Sequence, residues 1–253
     1  MSWTAVSRSR SLPYAAGRRQ QTQGAVVRDL CVPWYNRDGG RGMMNQALET
    51  LKANRIHVAP RALELSPQAA QRRFAAVWAP LEELVQRLRP VPPGLVRFWL
   101  ERPSGHVVIT HSPSRYQPGS QLLKRHVLDN VAFVSVADLA REGLEALVPV
   151  GHLLDHLLGN GGDAGGPWLS EGGGCTDGLR AVGGRVAELF PLGHALDAAA
   201  GASPRAYWAR SVAQYLSNRN ALNLADPLME RLLRSTVFAG AFWRPAGASS
   251  RQP

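Results

Sequence analysis

The stretch LVPVGHLLDHLLG, residues 147–159, sets the expected arrangement of the whole chain. Its leucines form an apolar face, and His152 and His156 stand four residues apart, so both project from one side of a helix. Pro149 removes a backbone donor and biases Val148 away from the helical region, so we expect the helix to begin or kink there. The stretch therefore predicts a largely apolar helix that carries a histidine pair.

The segments around this helix predict an α+β fold, with a small β-sheet and helices before it and a mostly helical half after it. β-rich runs at 95–101 and 106–111 are joined by a short Arg-Pro-Ser-Gly turn and predict a hairpin, and a third run lies at 131–136. The glycine-rich residues 159–166 predict a loop. Helices are predicted at 44–55, 67–89 with a break at Pro80, 137–158 apart from Pro149, 177–199, 204–217 and 226–239.

The composition is typical of a globular protein in a reducing compartment. With 45% hydrophobic residues over 253 positions, the chain can bury a substantial core. It has neither a run of roughly 18 apolar residues nor a secretory signal, so no membrane partner is expected. Cys31 and Cys175 are far apart and lack CxxC spacing, which argues against a cysteine zinc cluster and favours the cytoplasm.

The positive charge is concentrated near the N-terminus. Residues 1–42 hold seven arginines and two aspartates, half of the net charge of +10. Elsewhere the two signs are interspersed, so no nucleic-acid partner is expected. The first segment lacks an apolar period and predicts a disordered basic extension; it resembles a transit peptide in composition, although a true start at Met43 or Met44 is the simpler interpretation. Residues 43–243 predict one domain, and 244–253 a disordered tail.

Two segments resemble the anthrax lethal factor-type zincin metallopeptidases, a gluzincin-like family. The metal-binding helix of that family reads His-Glu-x-Gly-His, followed by a small or apolar pair and Asp; its histidines bind zinc and its glutamate activates a water. The second half of this motif is matched by Gly151, His152, Leu153, Leu154 and Asp155. A later family helix supplies a glutamate ligand, and PRAYWARSVAQYL at 204–216 resembles it through Tyr207, Trp208 and Ala209. The resemblance spans roughly residues 44–243 and implies a zincin-like fold.

The residues that would carry the chemistry of the family are replaced. Val148 stands in place of the first histidine, Pro149 at the general-base position and Arg210 in place of the third ligand, so only His152 is kept. The resemblance therefore implies a catalytically inactive pseudopeptidase without a cofactor, acting as a binding or regulatory module for an unknown protein or peptide. It also places Arg210 opposite His152, across the space that a metal would occupy.

The main alternative is an active zinc-dependent metallopeptidase whose site is rebuilt around His152 and His156, with Asp155 or His194 completing it. An inverted arrangement, with Asp155 as the base in HLLDH, resembles the inverzincin motif with Asp in place of Glu.

A second segment, LFPLGHALDAAAG at 189–201, repeats the pattern of the central helix. It indicates either an internal duplication or a chance similarity between two amphipathic helices.

Overall fold

The computed structural model describes residues 40–194 and 196–244 of the chain. The predictions of a disordered extension and a disordered tail fall mostly on residues 1–39 and 245–253, which lie outside the described residues. The first helix, α1 (Gly40–Arg55), begins before its predicted start at residue 44. Among the helices that the structure describes, none is long and apolar enough to cross a bilayer.

A four-stranded mixed sheet follows α1 and confirms the α+β class. Strands β1 (Ile56–Val58), β2 (His106–Thr110) and β4 (His126–Ser135) run parallel, and β3 (Arg115–Leu123) is antiparallel to β4. The strand order is β1-β2-β4-β3, which leaves β3 at one edge of the sheet. The apolar, β-branched runs of β2 and β4 are buried because they occupy the two central positions.

Strand β3 is irregular and largely exposed. Its register against β4 is interrupted between Gln117 and Ser120. Pro118 has no N–H for a strand ladder, and Gly119 has a φ of +77°, a conformation that favours glycine. The Gly119 N–H instead donates to the side-chain oxygen of Asn130 over 2.8 Å. Within the described residues no strand pairs with the outer edge of β3.

The prediction that residues 95–101 form the first strand of a hairpin is wrong, because Pro93–Leu100 forms helix α4. Pro93 lies in the first turn, where its fixed φ suits a helix and its missing N–H costs nothing. The buried residues follow a helical period and are Leu95, Val96, Phe98 and Trp99. The strands predicted at 106–111 and 131–136 are confirmed as β2 and part of β4, and the antiparallel partner of β4 is β3.

The helical predictions before and after the sheet hold with changed boundaries. The segment 67–89 forms α2 (Gln68–Arg73) and α3 (Ala79–Arg87), and Pro80 lies in the first turn of α3 rather than at the break. The segment 137–158 is also divided, into the short α5 (Val136–Leu139) and the helix α6 (Val148–Asn160).

Helix α6 is the helix predicted from residues 147–159, and it begins at Val148 with Pro149 in its first turn. It contacts β3, β4 and helix α8 (Pro204–Ala225). At Gly151 an added Cβ would lie 2.4 Å from the carbonyl oxygen of Ala209, so only glycine allows α6 and α8 to pack this closely. The buried face of α6 includes Val150, Leu153, Leu154, Leu157 and Leu158.

The remaining helices are α7 (Asp177–Leu189), α8 and α9 (Pro227–Ser235). Helix α7 ends ten residues before the predicted boundary at 199, because Phe190–Leu192 forms a 3-10 turn that contains a proline and Gly193 then adopts a φ of +75°. Helix α8 continues beyond the predicted boundary at 217, with a non-helical backbone at Asn218. These helices pack with the sheet around one main hydrophobic core.

Candidate functional site

A cavity of about 590 Å³ opens between the start of β3, the first turns of α6 and the N-terminus of α8. Its size lies in the range of small-ligand sites. Three of the site residues predicted from the sequence line it together, and all belong to α6: Val148, Pro149 and His152. Across from them the lining includes Tyr116 of β3, Trp168 and Arg205.

Four rings on one side of this cavity form an aromatic–histidine cluster, consisting of Tyr116, His152, His156 and Trp168. The His156 ring stacks on Trp168, with centroids 4.7 Å apart and planes 14° from parallel. Tyr116 stacks on His152 with centroids 6.3 Å apart and meets Trp168 edge-on at 5.6 Å. Aromatic pairs in these arrangements contribute more stabilisation than the burial of their apolar area alone. The four rings therefore hold one another in place along one side of the cavity.

Both ring nitrogens of His156 are engaged by protein partners. Nε2 lies 2.8 Å from the carbonyl oxygen of Asp163, which can only accept, so Nε2 carries the proton. Nδ1 then accepts from the hydroxyl of Tyr116 over 2.7 Å. Burial lowers the pKa of His156, consistent with a neutral ring held between these partners. A metal at either nitrogen would displace one of the two hydrogen bonds.

His152 is partly buried and faces the cavity. Burial, reinforced by the positive charge of Arg205, lowers the pKa of His152 to about 4. The ring is therefore neutral at physiological pH. It offers the cavity one donor and one acceptor but no charge.

We expect histidine-ring NMR to show that His152 titrates near pH 4. Replacing Arg205 with glutamine should raise this pKa only in part, because burial is the larger cause and remains. A midpoint near 6.5 in the unmodified protein would contradict a buried, uncharged ring.

A buried hydrogen-bonded pair fixes the segment that carries Trp168. Asp155 is fully buried, and its two carboxyl oxygens accept from the backbone N–H and the hydroxyl of Ser170, over 2.8 and 2.7 Å. Burial raises the pKa of Asp155 to about 8. Asp155 thus anchors the turn at 169–171 to α6. It does not line the cavity in which a metal would be bound. Neither the role of a base nor that of a zinc ligand matches this arrangement.

Arg210 lies outside the cavity lining, in contrast to the expectation that it faces His152. Its guanidinium pairs with Glu145 and with Asp197, over 2.8 and 2.7 Å. The guanidinium close enough to lower the pKa of His152 is that of Arg205, about one and a half turns earlier in α8. The resemblance pointed to Arg210 of α8, whereas the arginine of α8 that lines the cavity is Arg205.

The residues near His152 do not fit a zinc ion. Among residues 40–194 and 196–244, no three His, Cys, Asp or Glu side chains are grouped so that they could hold a metal. Val148 and Pro149 offer no donor in the cavity. His194 is exposed and lies in a non-helical segment, so the repeated pattern at 189–201 does not form a second helix like α6.

Three residues of the site are not predicted from the sequence: Tyr116, Trp168 and Arg205. Each comes from a different segment, and only the fold brings them to α6.

Comparisons of the chain with protein-family models, with curated proteins and with solved structures found no match in any of the three.

Proposed function

We propose that this chain is a zincin-like pseudopeptidase, a catalytically inactive module that binds an extended peptide segment in the cavity beside β3. The order of the elements supports a zincin-like arrangement. A small mixed sheet with an antiparallel edge strand leads into α6, and a helical half follows. The resemblance implied the same order, a small sheet followed by a helix and then a helical half, and it implied nothing about the strand directions.

The observation that carries the proposal is the position of the cavity at the outer edge of β3, which pairs with no other strand of residues 40–194 and 196–244. Tyr116 belongs to β3 and also lines the cavity, so a segment lying along the strand would reach the aromatic–histidine cluster. Exposed strand edges bind extended peptides through main-chain hydrogen bonds, and adjacent pockets select side chains. A cavity against such an edge therefore favours a peptide over a compact small molecule.

The chemistry of the lining supports binding without catalysis. Val148 and Pro149 occupy the cavity with side chains that neither bind zinc nor accept a proton. His156 would have to give up a hydrogen bond to become a ligand. Asp155 is committed to Ser170. None of these groups is free to activate a water at the cavity.

The test is fluorescence anisotropy with labelled nine-residue peptides of alternating Thr and Val, supplemented by a randomised pool of the same length. Val148→Trp fills the cavity and should weaken binding at least tenfold. Val77→Trp is the matched control, because Val77 is 53% exposed and does not line the cavity. Equal affinity in the two variants would place binding elsewhere and overturn the proposal.

Metal content and cleavage test the catalytic half of the proposal separately. Purified protein dialysed against zinc should retain far less than one zinc per chain and leave the peptides intact. One tightly bound zinc per chain together with peptide cleavage would establish the alternative, a metallopeptidase with a rebuilt site.

A further inference from the structure

We propose that the cavity selects a peptide with a carboxamide side chain, Gln or Asn, through the ring of His152 and the indole N–H of Trp168; this inference rests on the proposed peptide-binding function. Both residues line the cavity, and both keep ring nitrogens that no residue of the described structure engages. A carboxamide offers hydrogen-bond donors and an acceptor without a net charge.

The charges in and next to the cavity are balanced by one another. The ion pairs are Arg205 with Glu171, Asp138 with Arg141, and Arg210 with both Glu145 and Asp197. Arg115 is directed away from these groups, because it packs over Phe133 and successive residues of a strand point to opposite faces, whereas Tyr116 faces α6. A charged group of a ligand would therefore find no unpaired counter-ion on the side of the sheet that carries the cavity.

The indole N–H of Trp168 is a fixed donor without a partner. Trp168 is only 8% exposed, with the Arg205 guanidinium 3.9 Å from its ring centroid and the His156 ring stacked on it. Its Nε1 has no hydrogen bond within the described residues, and it is not among the nitrogens that are sealed from solvent. Because the rest of the side chain is enclosed, this N–H opens into the cavity that Trp168 lines. A buried indole N–H usually has a hydrogen-bond partner, so a ligand acceptor is expected here.

His152 brings two further nitrogens without partners to the same cavity. Neither Nδ1 nor Nε2 makes a hydrogen bond within residues 40–194 and 196–244, and both remain accessible. The His152 ring meets Trp168 edge-on with centroids 6.4 Å apart, so one planar ligand group can contact both rings. Burial keeps His152 neutral, so one of its nitrogens donates and the other accepts. Since no protein partner fixes the tautomer, the ring can adapt to the ligand.

A carboxamide matches these groups in both charge and hydrogen bonding. Its oxygen accepts from the Trp168 N–H, and its nitrogen donates to the accepting nitrogen of His152. A carboxylate or an ammonium group would lose hydration without gaining an unpaired counter-ion. A thioether or a hydrocarbon would cover Trp168 and His152 and leave their nitrogens without partners. The cavity therefore favours Gln or Asn over Glu, Lys and Met.

The experiment uses full-length protein and labelled nine-residue peptides of alternating Thr and Val with an amidated C-terminus. Gln, Glu, Met or Lys is placed at each position in turn, so that four side chains of similar length are compared at the same site. The best Gln peptide should bind roughly tenfold more tightly than the Glu, Met and Lys peptides with the same position replaced, as expected for two neutral hydrogen bonds. The unsubstituted peptide shows whether the hydroxyl group of Thr is sufficient.

Two cavity variants and two matched controls locate the effect. His152→Phe keeps a ring and removes both nitrogens, and Trp168→Phe removes the indole N–H. Each should abolish the preference for Gln while the Met peptides still bind. His126→Phe and Trp78→Phe should keep the preference, because both residues are exposed and neither lines the cavity. The indole N–H resonance that is lost in Trp168→Phe should shift when the natural protein binds the Gln peptide and not when it binds the Met peptide.

The outcomes separate this inference from the function on which it rests. Equal affinity for the Gln, Glu and Met peptides, or tighter binding of the Glu peptide, would overturn carboxamide recognition and leave peptide binding intact. A preference for Gln that persists in His152→Phe would also overturn it, and this result does not depend on whether Trp168→Phe folds. If no peptide binds, the peptide-binding function itself is overturned.

Discussion

Replacing Gly151 with alanine should lower the free energy of unfolding by about 3 kcal/mol, an overpacking cost at the high end of the usual range. The new Cβ would lie 2.4 Å from the carbonyl oxygen and 2.7 Å from the Cα of Ala209. Both contacts are with backbone, so no side chain can rotate away and α6 must separate from α8. Denaturant unfolding followed by circular dichroism measures the effect.

Gly184→Ala is the matched control for this substitution. Gly184 lies inside helix α7, and nothing is within 4 Å of an added Cβ. Here alanine should raise the free energy of unfolding by about 1 kcal/mol, because glycine is the poorer helix former. Equal effects at the two positions would contradict a close contact between α6 and α8.

Replacing Asp155 with alanine should lower the free energy of unfolding by roughly 4 kcal/mol, since it leaves a void and two buried donors of Ser170 without acceptors. Asp155→Asn should cost far less. The amide oxygen can accept from the Ser170 N–H, and the amide nitrogen can donate to the Ser170 hydroxyl. Similar losses in both variants would contradict this expectation, because they would show that an amide of the same shape cannot replace the carboxyl group in the two hydrogen bonds to Ser170.

The same pair of variants predicts a pH dependence. Burial raises the pKa of Asp155 to about 8, compared with about 4 in an unfolded chain. Between these values the folded state holds a proton that the unfolded state has lost, so the contribution of Asp155 to stability falls as pH rises from about 4 to about 8. The amide of the Asp155→Asn variant does not titrate in this range. The stability difference between the natural protein and this variant should therefore shift in favour of the variant as pH rises.

The parts of the fold that the sequence predicts well have one dominant local signal. Helix α6 combines an apolar face with a proline in its first turn, and β4 contains a run of β-branched residues. The segment 95–101 carries two conflicting signals, aromatic and branched residues that favour a strand and a preceding proline pair that favours a helix. The segment forms helix α4 because a helix buries one of its faces against the core.

Strand β3 could not be predicted because its sequence, RYQPGSQLL, lacks an alternating pattern and contains both Pro and Gly. Pairing with β4 holds it extended, which is a tertiary effect. The site depends on β3, so Tyr116 was missed with it. Trp168 and Arg205 belong to a turn and a helix start whose mutual stacking has no signature in the sequence.

The interruption of β3 at Pro118 and Gly119 also limits how chains of this protein can meet. A long, regular edge would accept the same edge of a second molecule and extend into a fibril. Here Pro118 lacks a donor and the register breaks between Gln117 and Ser120, so neither side of the break offers a long ladder. Each half of this edge is long enough for the short peptide that we propose, and neither is long enough for the extended edge-to-edge pairing that a fibril requires.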